Sequence, residues 1–210
     1  MHLIDWIVLH APHIEFVEAI YGSVKGRTLH ALIDRPVKRI NLELSASSRD
    51  MGQYEFVHHH VTLGVHSSLQ DIKCTIDTAF MGSRDWLHLI ADLQQLTSLE
   101  ICLQYGGDTS SLVNLLARLS LGCTSLENVT LTFFSFSPPG EWIQPLSQHP
   151  RLKSLVIVCN MMAEGMLPVL KEFRHLDLLQ LKLKTFDLKT IAQLKSEIPC
   201  LVFTTQSAHQ

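Results

Sequence analysis

The chain has 210 residues and a formal net charge of −3 with neutral histidines; 46% of its residues are hydrophobic and 18% are charged. The charged share lies below the roughly 25% that is usual in globular domains, so the composition excludes wholesale disorder and predicts a sizeable core. The 17 lysine and arginine residues do not cluster. Because no basic patch is present, we expect no nucleic-acid partner.

The cysteines and the first residues bear on the compartment. Five cysteines lie 21 to 41 residues apart without a Cys-x-x-Cys pair, which fits neither a disulfide framework nor a zinc site. We therefore predict reduced thiols and a cytoplasmic protein, with the nucleus as the alternative. The apolar start is interrupted by Asp5 and has no leading lysine or arginine, so it is a poor signal peptide. No apolar run approaches the roughly 18 residues of a membrane span, and we expect no membrane partner.

A short apolar motif recurs along the chain. Each copy has apolar residues at its first, fourth and sixth positions, as in L-x-x-L-x-L. The copies begin at Ile14, Val37, Leu69, Leu96, Leu126, Leu152, Leu176 and Ile198. Intervals between copies run from 22 to 32 residues, and the longest follows Val37. Because apolar residues at a period of two indicate a half-buried strand, we predict eight short strands at these positions.

The segments between the copies have helical spacing. Two of them carry apolar residues at i, i+3, i+4 and i+7. These residues are Trp86, Leu89, Ile90 and Leu93, and then Leu112, Leu115, Leu116 and Leu119. Shorter stretches of the same kind occupy 166–170 and 188–194. Each unit is therefore predicted to be strand, turn, helix and turn, and stacked units form a parallel sheet with helices behind it.

This pattern resembles the leucine-rich repeat family in its longer, helix-bearing form, over most of the chain. The segments GCTSLE at 122–127 and HPRLKSL at 149–155 are similar to repeats of intracellular F-box/leucine-rich-repeat proteins. The resemblance implies an α/β leucine-rich repeat solenoid, or horseshoe, with a concave parallel sheet and convex helices. Residues 1–210 form one array of about eight repeats in this interpretation, with an irregular insertion at about 43–68. The chain departs from the F-box/repeat pattern because no F-box segment is found.

The ends of the array carry a further expectation. Apolar residues begin at once with Leu3, Ile4, Trp6, Ile7 and Leu9, as if in the middle of a repeat. Repeat arrays need polar capping units, so we interpret the chain as a fragment or a short relative of a longer array. The alternative is that the first helix is itself an irregular cap. An exposed terminal strand also predicts edge-mediated self-association.

Function is expected on the concave face. Side chains alternate along a strand, so the third, fifth and seventh positions of each copy point to that face. The candidate partner-binding residues are Lys73, Glu100, Asn128, Thr130, Val156, Val158, Leu178 and Gln180. Val156, Val158 and Leu178 are the informative group, because exposed apolar clusters often mark interaction sites. The alternative is that β-branched residues merely suit a parallel strand.

The sequence contains few features of a metal site or of a catalytic site. His58 and His60 share one face if the segment is a strand, but no cysteine or carboxylate lies near enough in sequence to complete a metal site. We predict a solvated inserted loop, or an extra strand within Tyr54–Val65, and no metal ligands. Glycine-rich phosphate loops and the known hydrolase motifs are absent, and the Gly106–Asp108 segment is interpreted as a turn. Cys102 falls on the predicted concave face, yet we expect no catalytic residue, no cofactor and no enzyme.

The resemblance therefore implies a non-enzymatic protein–protein interaction module that binds a protein partner on its concave face. Its sharper form is the substrate-recognition segment of an F-box-type ubiquitin-ligase receptor, with an F-box supplied by sequence outside this chain. One alternative is the sensor repeat array of an intracellular immune receptor. Another is a repeat fragment without independent function. A hypothesis of a different class is an enzyme that uses His58 or Cys102.

Overall fold

The computed structural model describes residues 10–11, 13–17, 26–44, 52–76, 85–104, 110–163 and 165–205. These residues contain an eight-stranded sheet in which all neighbouring strands are parallel. The strands follow one another across the sheet in chain order. They are β1 (Phe16–Val17), β2 (Arg39–Leu44), β3 (Asp71–Ile76), β4 (Ser98–Leu103), β5 (Asn128–Phe133), β6 (Ser154–Cys159), β7 (Leu178–Leu183) and β8 (Leu201–Thr205).

The strands coincide with the apolar copies in the sequence. Strands β1 to β7 begin two residues after the first position of a copy, and β8 begins three residues after it. The fourth positions of successive copies are paired in register, as in Leu99, Val129 and Leu155. Eight strands and an α/β fold with a parallel sheet were expected from the sequence, and both expectations are confirmed.

Helical segments connect the strands. The α-helices of the described residues are α1 (Gly26–Leu32), α2 (Gly52–Leu63), α3 (Ser110–Gly122), α4 (Gly140–Ile143), α5 (Met166–Leu170) and α6 (Leu188–Glu197). Short 3₁₀ helices occupy Gly64–His66, Asp85–Asp92, Gln144–Gln148 and Lys171–Phe173. From α1 to Lys171–Phe173, the helical segments of successive units pack against one another, so the helices also follow one another in order.

The helical spacing predicted one helix well and two others incompletely. All four leucines named for 112–119 are buried in α3. The segment Asp85–Asp92 is a 3₁₀ helix, and large side chains are buried every three residues at Leu87, Ile90 and, just after the helix, Leu93, with the small Ala91 beside them. Leu89, which the α-helical period places on the core side, is only half-buried. In α6 the first residue, Leu188, is 73% exposed, because the core contacts Ile191 and Leu194 on another side of the helix.

The segment at 52–66 corrects the sequence interpretation. It is neither a loop nor an extra strand: α2 covers Gly52–Leu63, and the 3₁₀ helix Gly64–His66 follows. Phe56, Val57 and His60 are buried at i, i+1 and i+4, which is one face of an α-helix. The consecutive histidines concealed this pattern, because a histidine at the position of His60 was not counted as a core residue. The segment thus places a helix between β2 and β3, as other units do between their strands.

One backbone interaction repeats at the start of the strands. The carbonyl of the residue after the first apolar position accepts N–H groups from two consecutive residues of the next unit. This occurs at Glu15, Lys38, Gln70, Thr97, Glu127 and Lys153, with N···O distances of 2.7 to 3.1 Å. Each shared carbonyl holds one unit in register with the next. It therefore sets which side chains of the next strand face the helices.

The core is continuous along the array. Apolar residues from the strands and the helices form one buried cluster, which includes Cys74, Cys123 and Cys159. All five cysteines lie within the described residues, and no disulfide joins them. In the part of the chain that the structure describes, no helix has the length and apolar character needed to cross a membrane. The apolar start at 3–9 and the turn expected at 106–108 lie outside the described residues.

The alternation of buried and solvent-facing residues in β6 gives a stability test. Leu155 is fully buried, whereas Val156 points to the opposite face. We expect Leu155→Asp to lower the free energy of unfolding by at least ~3 kcal/mol, because a carboxylate without a partner is placed in the core. The matched control, Val156→Asp, is expected to cost about 1 kcal/mol or less. Urea denaturation followed by circular dichroism measures both, and equal losses would show that the register of β6 is wrong.

Candidate functional site

The two faces of the sheet have different environments. In β5, β6 and β7, buried residues alternate with residues that keep part of their surface exposed. The buried ones join the core with the helices. All-parallel sheets are normally covered on both faces, and their strands are then apolar throughout. The alternation found here means that the described residues cover one face only, and we call the other the open sheet face.

The predicted partner-binding residues lie together on this face. Five of them align across adjacent strands as one row: Lys73, Glu100, Thr130, Val156 and Gln180. The row continues to Val202 on β8. Asn128 and Leu178 belong to the row before it along the strands, and Val158 belongs to the row after it. The structure thus brings all eight residues onto one contiguous surface that spans β3 to β7.

The β2–β4 part of the open sheet face carries paired charges. Arg39 donates to Asp71 at 2.9 Å, and its guanidinium lies 5.6 Å from the centre of the Phe16 ring. Lys73 Nζ is 2.7 Å from Glu100 Oε1 on the neighbouring strand. Both pairs are partly exposed, so each contributes roughly 0–1 kcal/mol to stability. Their charges are largely compensated within the chain.

Cys102 lies on this face but is only 6% exposed. Its Sγ donates to Glu100 Oε1 at 3.4 Å. Burial, together with the negative charge of Glu100, raises the pKa of the Cys102 thiol to about 11. A thiol of this pKa is protonated at neutral pH, and the protonated form is a poor nucleophile. The environment of Cys102 therefore disfavours the enzymatic hypothesis that used it.

The β6–β8 part of the open sheet face mixes apolar side chains with the polar side chains of Ser154, Gln180, Lys182 and Thr204. Val156, Val158 and Leu178 are half-buried, and Val202 is 42% exposed. Gln180 lies between Val156 and Val202 in the register. Sequence reasoning missed Val202, although the fifth position of the last apolar copy would have indicated it. The share of apolar side chains on the face therefore rises from β2–β4 to β6–β8.

The histidines of α2 do not form a ligand set. The Nδ1 atom of buried His60 lies 2.9 Å from Ser67 Oγ, and its ring packs 4.6 Å from that of Phe56. His58 is exposed on another side of the helix. Burial, and to a lesser extent the neighbouring His59, lower the pKa of His60 to about 4. Within the described residues, no group of three or more metal-ligating side chains is found.

Comparison with protein-family models and with curated proteins finds no match for this chain. Function is therefore inferred from the geometry of the open sheet face and from the repeat pattern. Both are properties of the chain itself.

Acid should destabilise the fold through His60. Its pKa is lower in the folded chain than the usual 6.5, so the folded state binds fewer protons than the unfolded state. Stability is therefore lost as the pH falls below about 6.5 and towards 4, and we expect a loss of about 2 kcal/mol between pH 7 and pH 5. His60→Gln should remove that part of the pH dependence, as measured by urea denaturation at both pH values. Exposed His66→Gln is the control, and an unchanged pH dependence in His60→Gln would contradict the assignment.

Proposed function

We propose that the chain is a leucine-rich repeat solenoid that acts as a non-enzymatic protein–protein interaction module. A protein partner binds the open sheet face, which is its concave side. The observation that carries this proposal is the contiguous row from Lys73 to Gln180, which crosses five strands and passes from the Lys73–Glu100 ion pair through Thr130 to Val156 and Gln180. The charged side chains can orient a protein partner, and the apolar side chains provide area that is buried when the partner binds.

The spacing of the elements supports a curved array. Parallel strands lie about 4.8 Å apart, whereas packed helices need about 8–10 Å between their axes. Here the strands and the helical segments both follow one another in chain order. A stack whose helical side needs more room than its sheet side bends towards the sheet. The open sheet face is then concave and surrounds its partner, as in other solenoid proteins.

The segments 122–127 and 149–155, which carry the F-box/leucine-rich-repeat resemblance, make hydrogen bonds between neighbouring units. Cys123 donates from Sγ to the Leu93 carbonyl at 3.3 Å, which links two units. His149 Nε2 lies 2.9 Å from the Cys123 carbonyl, and its Nδ1 accepts the Arg151 N–H at 3.2 Å. Because Nδ1 accepts, Nε2 carries the proton and donates. These contacts connect the two segments with each other and with the unit before them.

The sharper form of the proposal is the substrate-recognition segment of an F-box-type ubiquitin-ligase receptor. It depends on the resemblance, and it requires an F-box from sequence outside this chain. In this form the bound partner is the protein to be ubiquitinated. The full-length gene product should then co-purify with ubiquitin-ligase subunits, and substitutions on the open sheet face should not affect that association.

The test is quantitative affinity purification with mass spectrometry, followed by affinity measurement with the purified partner. The double variant Val156→Asp/Gln180→Ala changes the centre of the face, where a partner's binding energy is expected to concentrate. We expect it to weaken the partner by at least about tenfold. Leu121→Asp is the matched control, since Leu121 is 84% exposed at the end of α3. A partner that binds the double variant as well as the wild type would contradict the assignment of this face.

A further inference from the structure

We propose that the outer edge of β8 pairs with the same edge of a second copy of this chain. The two strands run antiparallel about a twofold axis at Phe203, and the two sheets become one continuous sheet. This pairing gives a definite form to the edge-mediated self-association expected from the sequence. It uses the edge of a strand rather than the open sheet face, so it goes beyond the proposed function and does not depend on it.

The outer edge of β8 is defined by the direction of its backbone groups. β8 pairs with β7 along one side, and no described strand lies along its other side. The Leu179 N–H donates to the Cys200 carbonyl at 3.1 Å, so the backbone groups of Cys200 point to β7. Because backbone groups alternate in direction along a strand, every second residue from Cys200 onwards also points to β7. The residues whose N–H and carbonyl groups point outwards are Leu201, Phe203 and Thr205.

Most of these outward groups are available for pairing. The Leu201 N–H is already used, since it donates to the Ile198 carbonyl at 3.0 Å. Within the described residues, no partner is found for the Leu201 carbonyl, for the N–H and carbonyl of Phe203, or for the Thr205 N–H. Donors and acceptors in a row at the spacing of a strand form a template for another strand. The chemistry of this edge therefore selects a β-strand as its partner.

The order of the available groups is self-complementary. In an antiparallel pair centred on Phe203, the Phe203 residues of the two copies exchange two hydrogen bonds. The Thr205 N–H of each copy then donates to the Leu201 carbonyl of the other copy. The twofold pair makes about four hydrogen bonds in this way, and it uses every available group named above. The Leu201 N–H, which already has a partner within the chain, is not needed.

The side chains of β8 permit this pairing. Natural proteins commonly protect an edge strand with charged residues, with proline or with a bulge. The five residues Leu201–Thr205 include no charged residue and no proline, and three of them are β-branched. In the twofold pair, Val202 lies opposite Thr204 of the other copy, so no like charges meet within the paired strands. The sequence of β8 therefore favours pairing with itself.

Two other occupants of this edge fit less well. A further repeat would stack its helix on α6, but α6 has the polar exposed surface that is typical of a terminal unit. Its exposed residues are Lys189, Gln193, Lys195 and Ser196, with Leu188 and Ala192. Head-to-tail pairing with β1 of another copy offers the two residues Phe16–Val17 and would continue into a filament. A twofold pair uses all five residues of β8 and closes as a dimer.

The first test is sedimentation velocity of the full chain between about 1 µM and about 300 µM. We expect a reversible equilibrium between monomer and dimer, without larger species, because a twofold interface closes. Thr205→Pro removes an outward N–H from an exposed residue, and by symmetry it removes two of the about four hydrogen bonds. It should raise the dissociation constant at least about tenfold. Thr205→Val is the matched control, since it retains the N–H and the β-branched shape and should dimerise like the wild type.

The second test is disulfide trapping, which measures the register of the pair. All chains carry Cys200→Ser, which removes the partly exposed native thiol beside β8. Residues 202 and 204 of opposite copies form a pair without hydrogen bonds, with Cα atoms about 4.5 Å apart. A mixture of Val202→Cys chains and Thr204→Cys chains should therefore form a disulfide between copies. Val202→Cys chains alone should cross-link at least about tenfold more slowly, because the diagonal distance of about 7–8 Å exceeds the reach of a disulfide.

A variant of the opposite edge strand separates the two modes of pairing. Phe16 is 60% exposed on β1, and Phe16→Ser should leave the dimer unchanged. The proposal is overturned if the chain stays monomeric over the whole concentration range or if Thr205→Pro dimerises like the wild type. It is overturned equally if Val202→Cys chains alone cross-link as fast as the mixture. Growth into larger species, or loss of association in Phe16→Ser, would show head-to-tail pairing in its place.

Discussion

The shared backbone carbonyl at the start of each strand is the constraint on which the rest of the structure depends. In six consecutive units it accepts two N–H groups from the next unit. A one-residue slip in a strand moves every apolar side chain to the opposite face. By holding the register of each new strand, the carbonyl keeps residues such as Leu155 in the core and Val156 on the open sheet face.

The open sheet face follows from this register. Because the helices pack against one face of the sheet only, the side chains at the third, fifth and seventh positions of each copy are not constrained by packing in the core. They carry paired charges at Lys73 and Glu100, and apolar side chains at Val156 and Val202. The paired charges gain little from a partner, because they already compensate each other. Under the proposed function, binding energy is therefore expected from the apolar part near β6–β8.

The strands and the positions facing the open sheet face were predictable from the sequence because both depend on a period of two. Helical segments were less predictable. The 3₁₀ helix Asp85–Asp92 and the α-helix predicted there share apolar residues at i and i+3, so sequence spacing does not separate them. For α2, burial of His60 beside Ser67 and Phe56 made a polar residue part of the core. Ser67 Oγ contacts Nδ1 and the Phe56 ring packs on the imidazole, whereas the buried Nε2 has no hydrogen-bond partner within the described residues, and none of these contacts is visible in the sequence.

The sequence by itself determined the number of strands, their places along the chain, and most of the side chains that point away from the core. These features are local, since alternation along one strand decides them. Only the tertiary structure decided which residues of different units meet. The row from Lys73 to Gln180 depends on the pairing of strands that are 24 to 30 residues apart. The loops after β6 and β7 are likewise joined by contacts between units, such as the Asn160 carbonyl with the N–H groups of Lys184 and Thr185. Such contacts arise from stacking, and stacking is set by hydrogen bonds and packing between units.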